Sequence, residues 1–99
     1  MPIRETSVVT RPNTSTPWFE MSDTFKEYLR KNYDATGKRN LKEKFISENK
    51  LQKTTVIDFK DSESKYEYAN DSTLHTFRNE RDLHYISNGM TMKRSSEIV

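Results

Sequence analysis

The apolar positions along the chain switch between the two-residue period of a strand and the 3.6-residue period of a helix, and the switches mark out the elements. Ile3, Thr6, Val8 and Val9 bring β-branched side chains to a segment closing on Thr10, which predicts a strand. Pro12 ends its ladder because it has no N–H to donate. Asn13 to Pro17 read as a turn-rich loop, and the pair Trp18-Phe19 is expected to cap the core where the chain enters a helix. Ser22 suits the helix N-cap and Asp23 the positive helix end. Phe25, Tyr28, Leu29 and Tyr33 then fall on one face, with Lys26, Glu27, Arg30 and Lys31 largely off it, and Gly37 is the expected stop.

Arg39 to Phe59 read as a hairpin. Leu51, Ile57 and Phe59 share a strand face with Lys53 and Thr55, and Leu41 and Phe45 share a face of the preceding strand. A three-residue loop, Glu48-Asn49-Lys50, pairs Ser47 with Leu51 and Leu41 with Ile57 and puts both apolar sets on one side, with Asn49 tolerating the positive φ of such loops. The rival reading of residues 40–47 is a helix opening at Asn40, with Glu43 completing a capping-box-like pair. The strand is preferred because Leu51 to Phe59 otherwise lacks an adjacent partner. A second helix starts at Ser62 or Ser64. Its stripe runs through Tyr66, Ala69, Thr73 or Leu74, Phe77, Arg81 and Tyr85, with a possible break at Asn70-Asp71-Ser72. Asn88-Gly89 stops it, and Met90 to Val99 alternate as a final strand at an edge, with Met90, Met92 and Ile98 on one face.

The order is β-α-β-β-α-β. It predicts a single α+β domain over residues 1–99 of the ferredoxin-like class, a four-stranded antiparallel sheet with two helices on one face. Residues 1–21 form its strand and turn-rich N-terminal segment and 22–99 the remainder. The other face, with Val8, Thr54, Val56 and Thr91, is left uncovered and predicts a homo-oligomer or docking into a larger protein assembly. In this topology, and in the aromatic-bearing Tyr66–Gly89 stretch ending in Asn88-Gly89, the chain resembles the dimeric α+β barrel superfamily, which includes the antibiotic-biosynthesis-monooxygenase-like proteins. The resemblance spans Ser7 to Val99. It implies paired sheets and a pocket between sheet and helices, with some members acting as cofactor-independent oxygenases and others only binding or regulating. The short, Asn/Ser/Thr-rich style also resembles small accessory virion proteins of tailed phages.

Composition narrows the picture. Only 31% of residues are hydrophobic, so the core is thin, yet eleven aromatics and a net charge of +2 separate the chain from disordered sequences. The basic runs Lys38-Arg39-Asn40-Leu41-Lys42 and Lys93-Arg94 are short, and acidic residues interrupt the rest, which argues against nucleic acid. An RNA-binding sheet also needs exposed aromatics in a glycine-aromatic pattern, and Leu51 to Phe59 has only Phe59. The absence of cysteine excludes disulfides and thiolate metal sites. No apolar run reaches the length of a membrane span, and the first twenty residues lack a signal-peptide core. A cytoplasmic location is expected, or the virion if the chain is phage-encoded.

Chemistry is sparse. His75 follows Asp71 by four and His84 follows Glu80 by four, which reads as surface ion pairing, and the two histidines lie on opposite sides of one helix, so no metal or cofactor is implied. There is no phosphate loop, no Gly-x-Ser-x-Gly element and no cysteine nucleophile, so no catalytic residue is assigned. Trp18, Tyr28, Tyr33, Tyr66, Tyr68 and Tyr85 suit a core, a pocket or an interface. Trp18, Val56 and Tyr68 are the interface candidates. Arg81 falls on the apolar stripe of its helix, and Trp18, Tyr28, Phe77, Arg81 and His84 are candidates to line a pocket. The favoured expectation is a non-enzymatic assembly or interaction module, a small structural component of a phage particle being one form of it. The alternative is a small-molecule binder or cofactor-independent monooxygenase-like enzyme.

Overall fold

The computed structural model describes residues 1–99. Strand β1 (Ile3–Thr10) leads through a long loop to helix α1 (Asp23–Leu29), extended by a π-helical turn over Arg30–Asp34. Strands β2 (Arg39–Ile46) and β3 (Gln52–Phe59) form a hairpin, helices α2 (Ser62–Ala69) and α3 (Ser72–Ser87) follow, and β4 (Thr91–Ile98) closes the chain. The four strands form one antiparallel sheet in the order β2-β3-β1-β4, which puts β4 at an edge as its weak apolar face predicts.

Local chemistry sets these boundaries. The Ser22 hydroxyl accepts from the Phe25 N–H, so helix α1 starts at the expected cap. Gly37 and Gly89 both carry a positive φ, +77° and +66°, at the two helix exits. The second helix is divided in two at Asn70-Asp71, the break that the run Asn70-Asp71-Ser72 allows. Asp71 ends α2's phase and caps α3, its Oδ1 accepting from the Thr73 N–H at 2.9 Å. The break rotates the faces: Tyr66, placed on the inner stripe by a continuous helix, is 71% exposed, and Ser64 and Tyr68 point inward instead.

The hairpin departs from the expected register. Leu41 does pair with Ile57, but the next pair is Glu43 with Val56, so Lys42 is an extra residue in a β-bulge. From there Phe45 pairs with Thr54, and the Ser47 N–H donates to the Gln52 carbonyl at 2.8 Å, leaving a four-residue connection, Glu48–Leu51. Because strand side chains alternate, one extra residue inverts everything beyond it. Leu41 stays on the side of Ile57 and Phe59, while Phe45 turns to the side of Val56 and Lys44 takes the inner place. The positive φ falls on Lys50 (63°) rather than Asn49, whose Oδ1 is occupied as acceptor from the Leu51 N–H at 3.0 Å and the Ser47 hydroxyl at 2.7 Å.

All three helices lie on one side of the sheet. The Tyr68 ring of α2 stands 5.2 Å from Phe59 of β3 and 5.4 Å from Tyr33 of the π-turn. Leu29, Tyr33 and Leu74 form the buried centre, with Met21, Phe25, Tyr28 and Tyr68 packed around them. The core is small, as the composition predicts: among the apolar residues only Val9, Leu29, Tyr33, Phe59, Leu74, Phe77 and Met90 are buried. No helix is long and apolar enough to cross a membrane.

Candidate functional site

Two regions remain after the core is accounted for: the uncovered sheet face and a cleft under the helices.

The register places Arg4, Thr6, Val8 and Thr10 of β1 beside Thr54, Val56 and Asp58 of β3 on the uncovered face, with Glu43 and Phe45 of β2 and Thr91, Lys93 and Ser95 of β4 flanking them. The centre is apolar to weakly polar. One end is held by a bidentate ion pair in which Arg4 Nε and Nη2 donate to Asp58 Oδ1 and Oδ2 at 2.8 and 3.1 Å. These hydrogen bonds, with the nearby Arg4 charge, hold the Asp58 carboxyl below the usual aspartate range. Phe45 projects from this face with half its surface exposed.

The cleft has a volume of about 390 Å³ and lies between the helix-facing side of the sheet and α1 and α3. Its floor carries Arg39, Leu41 and Lys44 of β2, Lys53 and Thr55 of β3, and Ser7 and Val9 of β1, all on one side by the observed register. Phe77, Arg81 and Tyr85 of α3 close it from above. The Arg39 guanidinium donates through Nη1 to Asp34 at 3.0 Å and leans over the Tyr68 ring at 5.9 Å. Arg39 Nε is buried and has no acceptor. Lys53 sits 5.3 Å over the Trp18 ring, and burial first, then the neighbouring Lys44 charge, pushes its pKa down. Arg81 lies over the Phe77 ring at 5.8 Å and pairs with Asp82 at 3.2 Å. Burial raises the Tyr85 hydroxyl, against the opposing pull of Arg81 and Arg94.

Neither a family model nor a curated protein matches the chain. Among solved structures it is similar to a dimeric ferredoxin-like protein from an uncultured marine organism, with a TM-score of 0.55 at 11% identity, covering 99% of this chain and 94% of that one. The fold is ferredoxin-like. At that identity the likeness concerns the fold alone, and within it the ferredoxin-like sheet leaves one face free of helices, as the topology predicts.

Of the pocket candidates, the ferredoxin-like framework brings Phe77 and Arg81 together in the cleft. Tyr28 lies elsewhere: its hydroxyl donates to Asp71 Oδ2 at 2.7 Å, and the Tyr33 hydroxyl donates to the same oxygen at 2.6 Å. His84 packs on Phe19, and its Nε2 lies 2.9 Å from the Pro17 carbonyl, which can only accept, so that nitrogen carries the proton. The expected pairings of His84 with Glu80 and His75 with Asp71 give way to these contacts, since Asp71 serves the two tyrosines and the α3 cap. No three His, Asp or Glu side chains group closely enough to hold a metal ion. Trp18 meets two cations, the Arg11 guanidinium at 4.2 Å and the Lys53 ammonium at 5.3 Å from its ring. Val56 is central on the free face, and Tyr68 is turned into the interior.

Sequence reasoning missed Arg11, Arg39, Lys44 and Lys53. For Arg39 and Lys53 the signal was present: each shares strand parity with an apolar set, Arg39 with Leu41 and Lys53 with Ile57 and Phe59, and a cation on an inward face needs a reason. Lys44 could be found only by seeing the bulge. The basic run at Lys38-Arg39 is neutralised locally, Lys38 by Glu67 and Arg39 by Asp34, both at 3.0 Å.

Proposed function

We propose that the protein is a non-enzymatic assembly module that pairs with a second copy through the free face of its ferredoxin-like sheet. The observation that carries this is the helix-free face bearing Val8, Val56 and the outward Phe45. The dimeric state of the structurally similar protein supports it. Four strands of eight residues cover about 19 by 26 Å at ordinary strand spacing and rise, hence about 500 Å² per protomer and about 1,000 Å² in all. That is the lower bound for a specific interface, so the dimer is a weak one, with a Kd in the micromolar range. A role in a phage particle rests on sequence style alone. The cleft favours a second, compatible reading as a small-molecule binder. Sedimentation velocity across micromolar concentrations tests the pairing. The expected result is a reversible dimer that Val56→Lys converts to a folded monomer, because the side chain projects away from the core. A wild-type protein that stays monomeric at about 100 μM, where a micromolar Kd demands dimer, refutes it.

A further inference from the structure

One end of the cleft holds an amine in an uncommon setting. Lys53 stands on the helix-facing side of β3, in one row with Val9 of β1 and Met92 of β4, and all three line the cleft. The residue is half-buried, and its ammonium lies 5.3 Å from the Trp18 ring. On the other flank β2 pairs Ile46 with Lys53 and Lys44 with Thr55, so Lys44 is the diagonal neighbour of Lys53 on the same side. No carboxylate lies within salt-bridge reach of either lysine. Burial first, then the charges of Lys44 and Arg11, favour the neutral amine at Lys53, against the opposing pull of Glu20. A lysine set among apolar groups beside a second cation is the arrangement that makes an amine nucleophilic near neutral pH. The cleft volume of about 390 Å³ leaves room for a small molecule next to it.

We propose that Lys53 takes an aldehyde with an apolar body and holds it in this cleft as an imine, the body lying against Val9 and Met92. The neutral amine adds to the carbonyl carbon, forming the C–N bond while its proton passes to the oxygen. The carbinolamine then loses that oxygen as water while the C=N bond forms, so no oxidant or reductant takes part. Once protonated, the imine carries the same single positive charge as the ammonium it replaces and keeps a cation beside the Trp18 ring. The body is apolar because a strongly hydrated one would lose its water against Val9 and Met92 without a polar partner in return. The imine rests on the cleft being a small-molecule site, whereas pairing uses the other face of the sheet and stands or falls separately.

The test is equilibration of the full chain with benzaldehyde, a borohydride quench that reduces any imine to a stable benzylamine, and peptide mass mapping. The chain's α-amino group, with an ordinary pKa of about 7.7–8.0, reacts in any protein and serves as the internal standard. At about pH 7, Lys53 is expected to carry about ten times the adduct of exposed Lys31 or Lys42. Lys53→Arg keeps the charge and abolishes the favoured site. Lys44→Met, at an exposed position, lowers the Lys53 adduct about threefold at about pH 7, because losing the neighbouring cation stabilises the ammonium, and matches wild type at about pH 11, where the amine is neutral in both. Lys93→Met, on the other side of the sheet, changes nothing. Benzyl alcohol, which has the same body but forms no imine, competes with the adduct and perturbs the fluorescence of Trp18, the single tryptophan. Even labelling of Lys53 and the exposed lysines, or a Lys53 adduct unchanged in Lys44→Met, overturns the proposal. Benzyl alcohol binding without selective labelling overturns the imine and leaves the cleft a binding site; loss of both removes the binding site as well.

Discussion

Replacing Asp71 by asparagine removes one charge while leaving a good helix cap in place, and its cost measures how the two halves of the helical layer are tied. Oδ2 of Asp71 accepts from Tyr33 at 2.6 Å and Tyr28 at 2.7 Å, and Oδ1 accepts from the Thr73 N–H at 2.9 Å. Asparagine has one acceptor oxygen. Placed toward the tyrosines, its amide NH₂ faces the Thr73 donor; flipped, it faces two hydroxyls. A hydrogen bond to a charged group contributes about 1.5–3 kcal/mol, and Tyr33 is only 2% exposed, so Asp71→Asn costs about 3 kcal/mol and Tyr33→Phe about 2 kcal/mol. Against a total of about 5–10 kcal/mol for a domain of this size, that lowers the urea midpoint by about 2 M for the first variant. Because both substitutions remove the same bond, the double variant loses less than the sum, with a coupling of about 1–2 kcal/mol.

The acid limb gives an independent reading of the same site. Burial raises the Asp71 carboxyl, but the Tyr33 and Tyr28 hydroxyls and the N–H groups of Thr73 and Leu74 outweigh it and lower its pKa. A carboxyl depressed in the folded state contributes its stability above the unfolded value of about 3.9 and loses it as pH falls through the folded value. Wild-type protein therefore loses stability below about pH 4 more steeply than Asp71→Asn, and the two curves converge. Parallel acid limbs, or a midpoint shift under about 0.3 M, refute the argument.

Three further outcomes follow from the packing. Leu74 has no exposed surface, so Leu74→Ala costs about 3 kcal/mol, a large share of a thin core's stability, read as a fall of more than about 12 °C in Tm. Arg11, 9% exposed, donates through Nε to the Lys50 carbonyl and through Nη1 to the Thr16 carbonyl, both at 2.8 Å, and stacks on Trp18, so Arg11→Met costs about 2–3 kcal/mol and shifts Trp18 emission. Deleting Lys42 removes the bulge without changing another strand pair, so the variant folds with stability within about 1 kcal/mol of wild type, whereas deleting Asn49 costs more; equal effects in urea melts refute the register.

The architecture was legible because each element carries its own signal: β-branched residues before Pro12, Ser22 as a cap, the break at Asn70-Asp71 and the stop at Asn88-Gly89 all act within a few residues of themselves. What could not be read depends on pairing at a distance. Nothing local to Lys42 marks it as unpaired, because Leu41 and Phe45 have a regular period-two spacing and only the ladder to β3 reveals the extra residue. Tyr66 was misplaced for a related reason: the Asn70–Asp71 break was visible, but not the rotation it imposes between α2 and α3. In the cleft, Phe77 and Arg81 follow from helical spacing, whereas Arg39 and Lys53 come from strands whose inner faces had been counted for their apolar members.

Lys42 also couples the two sides of the sheet. Beyond it, the outer half of β2 has its odd and even positions exchanged, so whether the extra residue is taken up as a bulge at Lys42 or in the turn decides whether Lys44 or Phe45 lines the interior. Phe45 inside would fill the cleft and flatten the outer face; Lys44 inside leaves a charged hollow and an aromatic knob outside. Two surfaces on opposite sides of the sheet are thus governed by where one residue is accommodated, and shifting it from the strand to the turn would alter both at once without replacing any side chain.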